Sequence, residues 1–269
     1  MAVSEAGMFA GIEPFFTFHI PIVWTGYILF VDGIVWRHRA DSWLQSAPAE
    51  FLFLAVFSIP LWLIFEFYNL FIQNWHYVGL PENPWLRLLG YGWSFATIWP
   101  AIFETGDLVS VMRDRRAPPR RTVEPDRRLR LTPVNVLSML LGAGLLAWPL
   151  IRPSPYLAAP VFLGFIFLLD PINSRVGGRA LVRDFGFGRG RRCVNLAVAG
   201  LMCGFLWEFW NYWAGAKWIY TVPILERWKL FEMPLPGYLG FPAFALECYT
   251  MYATVRLLLW RGASRKISI

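Results

Sequence analysis

At 269 residues, 57% hydrophobic and only 16% charged, the chain falls far below the roughly 25% charged residues of a soluble domain. With 15 Trp and 23 Phe as well, the composition excludes an ordinary soluble enzyme and points to an integral membrane protein. The net charge of +7 sits mainly in arginines between apolar runs, a topological pattern that implies no nucleic acid.

The opening MAVSEAGMFAGIEP lacks the basic region of a secretory signal and reads as a short interfacial lead-in. A membrane span needs roughly 20 mostly apolar residues. Seven stretches qualify in chain order: 18–36, 50–72, 90–111, 132–151, 157–173, 194–214 and 238–260. Long apolar runs of this kind read as helices, because backbone groups in lipid must satisfy one another within the segment. The fifth is short and ends at Asp170-Pro171, and the seventh carries Arg256, whose long side chain can snorkel.

The arginines orient these spans. Arg37 and Arg39 follow the first, and the loop MRDRRAPPRRTVEPDRRLR after the third holds eight. Arg175, Arg179, Arg183, Arg189, Arg191 and Arg192 follow the fifth, and Arg261, Arg265 and Lys266 follow the seventh. The opposite side holds only Arg87, Arg152, Lys217, Arg227 and Lys229. The positive-inside rule then predicts an integral protein of a bacterial inner membrane, N-terminus outside and C-terminus cytoplasmic. The basic loops also suit anionic headgroups.

The chain repeats itself. Gly26–Asp32 resembles Gly164–Asp170, Glu66–Asn69 resembles Glu208–Asn211, Trp75-His76-Tyr77 resembles Trp218-Ile219-Tyr220, and Ala101–Glu104 resembles Phe244–Glu247. The separations are 138 (26 to 164), 142 (66 to 208), 143 (75 to 218) and 143 residues (104 to 247). Ordered matches at nearly constant spacing mark an internal repeat. The pattern predicts an all-α polytopic membrane protein of seven transmembrane helices, built as parallel three-helix repeats with a linker helix (3+1+3). Residues 1–111 form the first repeat, 112–156 the basic loop and linker helix, and 157–269 the second repeat and tail.

The costly residues are the candidates for function. Glu66 and Asn69 share a helical face, as do Glu208 and Asn211. Trp62 and Gly204 sit one turn earlier on those faces. Intramembrane carboxyls face a bundle interior, a cavity or a partner. With Glu104 and Glu247, these glutamates are the candidate catalytic acids and bases, and together they could line one cavity. The competing reading makes them glue between helices, bonded to neighbours such as the Trp75 indole. Trp62, Asn69, Trp75, Tyr77, Trp207, Asn211, Trp218 and Tyr220 are the candidate substrate-binding residues. Interfacial anchoring explains most aromatics of the loops at 72–89 and 214–238, and the rest suit a lid over an apolar cavity. Asp32 and Asp170 read as partners of interfacial arginines. His19, His38 and His76 are too dispersed for a metal site, and no nucleotide motif appears, Gly186–Gly190 reading as a flexible basic turn. No cofactor is expected.

The stretches FEFYN at 65–69, PAIFE at 100–104, LWEFWN at 206–211 and FPAFALE at 241–247 distantly resemble the membrane carotenoid (lycopene) cyclases of heterodimeric or fused type. Those enzymes pair two acids after a proline. Here Pro100 precedes the single Glu104 and Pro242 the single Glu247. The resemblance implies repeated three-helix units, intramembrane acids and no redox cofactor. It suggests an intramembrane isomerase or cyclase acting on an isoprenoid, carotenoid or sterol-like lipid, with aromatic walls stabilising a carbocation. Two further readings are a small-solute transporter of parallel-repeat type, which the layout also resembles, and a structural or assembly subunit of a membrane complex that binds pigment. The partners expected are membrane lipids or an apolar isoprenoid-like ligand, with membrane proteins under the assembly reading. The seventh stretch offers no lysine for retinal, which removes a rhodopsin.

Overall fold

The computed structural model describes residues 1–113, 132–186, 190–225 and 227–259. The arginines of 114–131, Arg189 with most of its basic turn, and Arg261, Arg265 and Lys266 lie outside them. Helices dominate: α1 (Ala2–Phe9), α2 (His19–Arg39), α3 (Trp43–Ser46), α4 (Pro48–Ile72), α5 (Pro84–Arg113), α6 (Pro133–Ile151), α7 (Ala158–Arg175), α8 (Leu181–Gly186), α9 (Arg191–Trp213) and α10 (Gly240–Leu259). The chain is not all-α. Strands β1 (Trp75–Val78) and β2 (Lys217–Tyr220) form an antiparallel ribbon, and β3 (Lys229–Leu230) and β4 (Met233–Pro234) a second, shorter one.

Among the described residues four helices, not the seven expected, are long and apolar enough to cross a membrane: α2, α4, α6 and α9. They give the chain its membrane-protein character. The other three expected spans are helical but more polar. Helix α5 carries Arg87, Glu104 and Asp107, and α7 ends in Asp170, Asn173, Ser174 and Arg175. Helix α10 mixes Glu247 and Arg256 with Tyr249, Thr250, Tyr252 and Thr254. Most of these polar groups are buried inside protein, so they interrupt the apolar character of the helices without meeting lipid.

The expected 3+1+3 arrangement is also corrected. Helix α6, the expected linker, packs against α7 more extensively than any other pair of elements. The reason is glycine: a Cβ at Gly142 would lie 2.4 Å from the Leu168 nitrogen, so only glycine lets the two backbones meet this closely. Helix α6 is therefore built into the packing, and the contacts show no clear pair of three-helix units about a separate linker.

Sequence dictates several element ends. Thr132 caps α6 by accepting from the Asn135 nitrogen at 3.3 Å, with Pro133 starting the helix. Asp32 accepts from Ser42 Oγ and the Leu44 nitrogen, both at 2.9 Å, and so anchors α3. Asp170 accepts from the nitrogens of Leu181 (2.6 Å) and Val182 (2.8 Å), the start of α8. These two aspartates thus serve backbone N–H groups, where arginine partners had been expected. Arg39 goes to Ser110 and Asp107, Arg256 to Glu50, and Arg192 to Asp184. The helices enclose an aromatic core that includes Trp24, Phe65, Trp99, Phe103, Tyr249 and Tyr252.

Candidate functional site

The ribbon is built by two asparagines. Helix α4 ends as Gln73 turns into the left-handed region (φ 50°). Asn69, one turn back, catches the emerging chain. Its Oδ1 accepts from the nitrogens of Asn74 (2.9 Å) and Trp75 (3.3 Å), and its Nδ2 donates to the Trp75 carbonyl (2.8 Å). Asn211 repeats this at the end of α9, accepting from the Trp218 nitrogen (2.9 Å) and donating to its carbonyl (2.8 Å). The two strands so launched pair antiparallel, Trp75 opposite Tyr220 and Tyr77 opposite Trp218. Side chains alternate across a strand, so these four aromatics share one face. His76 and Ile219 occupy the other, with His76 exposed.

Beneath that face lies a cavity of about 540 Å³. Its wall is overwhelmingly apolar and aromatic. Six of the candidate binding residues line it: Trp62, Trp75, Tyr77, Trp207, Trp218 and Tyr220. Asn69 and Asn211 do not, because their polar atoms hold backbone. Residues of other helices complete the wall, notably Trp24 of α2, Tyr91 and Phe95 of α5, Phe162 of α7 and Phe244 of α10. The Phe244 ring packs against Trp62, Phe65, Trp99, Phe162 and Trp207 with centroids 5.4–6.0 Å apart.

None of the four candidate glutamates lines this cavity. Glu66 stands behind the aromatics, its Oε1 accepting from Trp62 Nε1 (2.8 Å), Trp75 Nε1 (3.2 Å) and Tyr77 Oη (2.5 Å). Glu208 is fully buried, and its Oε1 accepts from Tyr220 Oη at 2.9 Å. Trp218 lies near the same carboxyl without a well-formed hydrogen bond. Glu247 accepts from the Phe165 nitrogen at 3.0 Å, tying α10 to α7. Glu104 is fully buried in α5 close to Tyr27. The structure thus places Glu66 and Glu208 behind one aromatic surface and leaves Glu104 and Glu247 in the helix packing.

Both tyrosines bridge cavity and carboxyl. Burial, then the neighbouring Glu66, pushes the Tyr77 hydroxyl well above the usual tyrosine range. Burial and Glu208 do the same to Tyr220. Both therefore stand as neutral proton donors at ordinary pH. Among the described residues no three His, Cys, Asp or Glu side chains gather to hold a metal.

The sequence had flagged Tyr77 and Tyr220 within a repeated Trp-x-Tyr, but not their pairing across the ribbon. The period-two spacing of Trp and Tyr was the available signal for a strand. No signal pointed to Tyr91, Phe162 or Phe244, which look like any core aromatics of their helices. No protein-family model matches the chain, and no curated protein or solved structure matches it.

Proposed function

We propose that the protein is an intramembrane isomerase or cyclase acting on an isoprenoid, carotenoid or sterol-like lipid. One observation carries this reading: an aromatic cavity lined by two tyrosines, Tyr77 and Tyr220, whose hydroxyls each donate to a carboxyl behind the wall. Such pockets of roughly 300–1,000 Å³ suit small apolar ligands with a few placed polar groups. Aromatic faces favour a passing carbocation, and a carboxyl–hydroxyl pair can move a proton. The likeness of the acidic stretches to the carotenoid cyclases agrees with this chemistry.

A solute transporter draws less support, because Asn69 and Asn211, its natural solute ligands, are occupied by backbone. Arg37 and Arg39 at the end of α2 support a bacterial inner membrane with the ribbon and cavity on the outer side. The basic loops then meet anionic headgroups. Cysteine placed at positions 80–83 should be labelled from outside sealed cells, against a low background because Cys193, Cys203 and Cys248 are buried.

The test of function is turnover of a panel of polyene and sterol-like lipids by protein purified in mild detergent, without nucleotide or metal. Product should carry solvent deuterium. No turnover across the panel, together with a stable complex with other membrane proteins after purification, would replace the enzyme with an assembly subunit.

A further inference from the structure

The two carboxyl–tyrosine pairs come from matched stretches, yet they are not equivalent. Position 62, four residues before Glu66, is tryptophan, and position 204, four before Glu208, is glycine. Trp62 supplies one of three donors to a single Glu66 oxygen. Three donors converging on one oxygen stabilise a carboxylate there, ready to receive a proton. At Glu208 the equivalent donor is gone. A Cβ at Gly204 would already lie 2.2 Å from the Phe241 ring, so Phe241 occupies the space where a tryptophan would reach back. Glu208 keeps one bond, from Tyr220, its Oε2 has no hydrogen bond, and the residue is fully buried. A charge there is poorly compensated.

The groups facing the two carboxyls sharpen the contrast. Glu66 is ringed by Trp62, Trp75, Tyr77 and Tyr91. Glu208 faces Tyr220, Trp218 and Tyr238, and the nearby Glu232 is tied to Lys217 at 3.3 Å. Neither carboxyl forms a salt bridge among the described residues.

We propose that the two pairs divide the acid–base chemistry between them. Glu208 with Tyr220 delivers a proton to the ligand, and Tyr77 with Glu66 removes one. This division rests on the isoprenoid reading above. Tyr220 Oη gives its proton to one carbon of a ligand double bond as Glu208 gives its own proton to Tyr220. A C–H bond forms, the π bond breaks, the ligand holds the positive charge and Glu208 becomes a carboxylate. An adjacent C–H bond then loses its proton to Tyr77 Oη as Tyr77 passes its own proton to Glu66. The electron pair left on carbon forms the new double bond. One proton has moved from Glu208 to Glu66, and exchange with solvent restores both. Tyr77 and Tyr220 are the catalytic residues, since they line the cavity, and the glutamates are positioning residues that store the proton behind them.

Two measurements test the division. In ligand-free protein, the infrared difference between wild type and Glu208→Gln should show loss of a protonated carboxyl, while that for Glu66→Gln should show loss of a carboxylate. The opposite pattern, or no protonated carboxyl lost in Glu208→Gln, overturns the assignment without touching the enzyme reading. In deuterated solvent, Tyr77→Phe should still exchange deuterium into the ligand without isomerising it, because the cation forms and reverts. Tyr220→Phe should incorporate at least tenfold less. Ligand binding, read from tryptophan fluorescence, should persist in both variants. Equal incorporation in the two variants sinks the division alone. Absence of turnover by wild type across the whole panel sinks the enzyme reading and the division with it.

Discussion

Trp75 and Tyr220 stand opposite each other in the antiparallel β1–β2 ribbon, so each copy of the Trp-x-Tyr stretch is paired with the other read backwards. Tyr77 and Trp218 complete the pairing, and the four rings share one face over the cavity. Each carboxyl behind that face therefore meets aromatics held in place from both halves of the chain.

The tyrosines set an alkaline limit to stability. Tyr77 and Tyr220 hold their protons well above the ordinary value of 10.0 in the folded protein. Above about pH 10 the unfolded chain sheds these protons while the native state keeps them. The stability they contribute is complete below that pH and is lost as pH rises past it. Tyrosinate absorbance from these two residues should appear only together with unfolding. Tyr77→Phe and Tyr220→Phe should each make the alkaline loss of stability less steep. Tyrosinate formation at these sites in still-folded protein would contradict the burial.

Glu66 should depend on its indole donors. Trp62→Phe keeps an aromatic ring and removes one N–H. Hydrogen bonds to a charged group contribute about 1.5–3 kcal/mol, so stability should fall by a comparable amount. Trp207→Phe removes an indole from the same cavity wall but no donor to either carboxyl, and should cost less. Thermal unfolding in a fixed detergent compares the two. Equal losses would show that ring packing, and not the donor, sets the cost.

The asparagines are builders. Asn69→Ala strips the hydrogen bonds that steer the chain into β1, and Asn211→Ala does so for β2. Leaving these buried backbone groups unmet should cost about 1–3 kcal/mol at each site. Amide exchange at 75–78 and 217–220 should accelerate in both variants. A variant that lost ligand affinity while keeping full ribbon protection would return Asn69 or Asn211 to the ligand-binding surface.

The Glu50–Arg256 pair joins α4 to α10 at 2.6 Å, with both side chains largely buried. Breaking one partner strands the other, so Glu50→Gln should cost about 3–5 kcal/mol. Replacing both together with leucine and methionine should recover most of that loss, because a matched apolar pair carries no stranded charge. Chemical denaturation of the single and double variants measures the coupling. A double variant as unstable as the single would assign the loss to packing.

Glycine positions provide an internal contrast. Gly204→Ala would press a Cβ against the Phe241 ring and should destabilise by about 1–3 kcal/mol. Gly144→Ala, on the exposed side of α6, meets nothing within 4 Å and should be neutral or stabilising by up to about 1 kcal/mol. Melting both variants in one detergent tests the close approach directly.

The sequence made the local chemistry readable and the global arrangement less so. Glu66, Trp75 and Tyr77 lie within 12 residues, so a repeated carboxylate followed by Trp-x-Tyr could be recognised as one unit. The Asn69 and Asn211 roles were hidden because the same i, i+3 spacing suits a ligand or a helix end equally. The ribbon was missed because two strands of four residues lie in loops whose aromatics also suit the membrane interface. Seven spans were expected because apolar counting treats a helix shielded by protein like one facing lipid. Glu104, Asp107 and Glu247 are buried in helix packing and lower the hydropathy of α5 and α10 without breaking either helix. The tight α6–α7 approach depends on Gly142 and Gly164 meeting across two helices, which a single sequence cannot register.

The ribbon also constrains the order of assembly. Its strands are joined by about 140 intervening residues, from Val78 to Lys217, and closing so long a loop costs more chain entropy than any helix turn beside it. A nascent chain that has completed α4 and α5 still has no partner for β1 until α9 and β2 have emerged. The ribbon wall of the cavity is therefore a late product of folding, and an intermediate holding only the first half exposes Trp75 and Tyr77 without their partners.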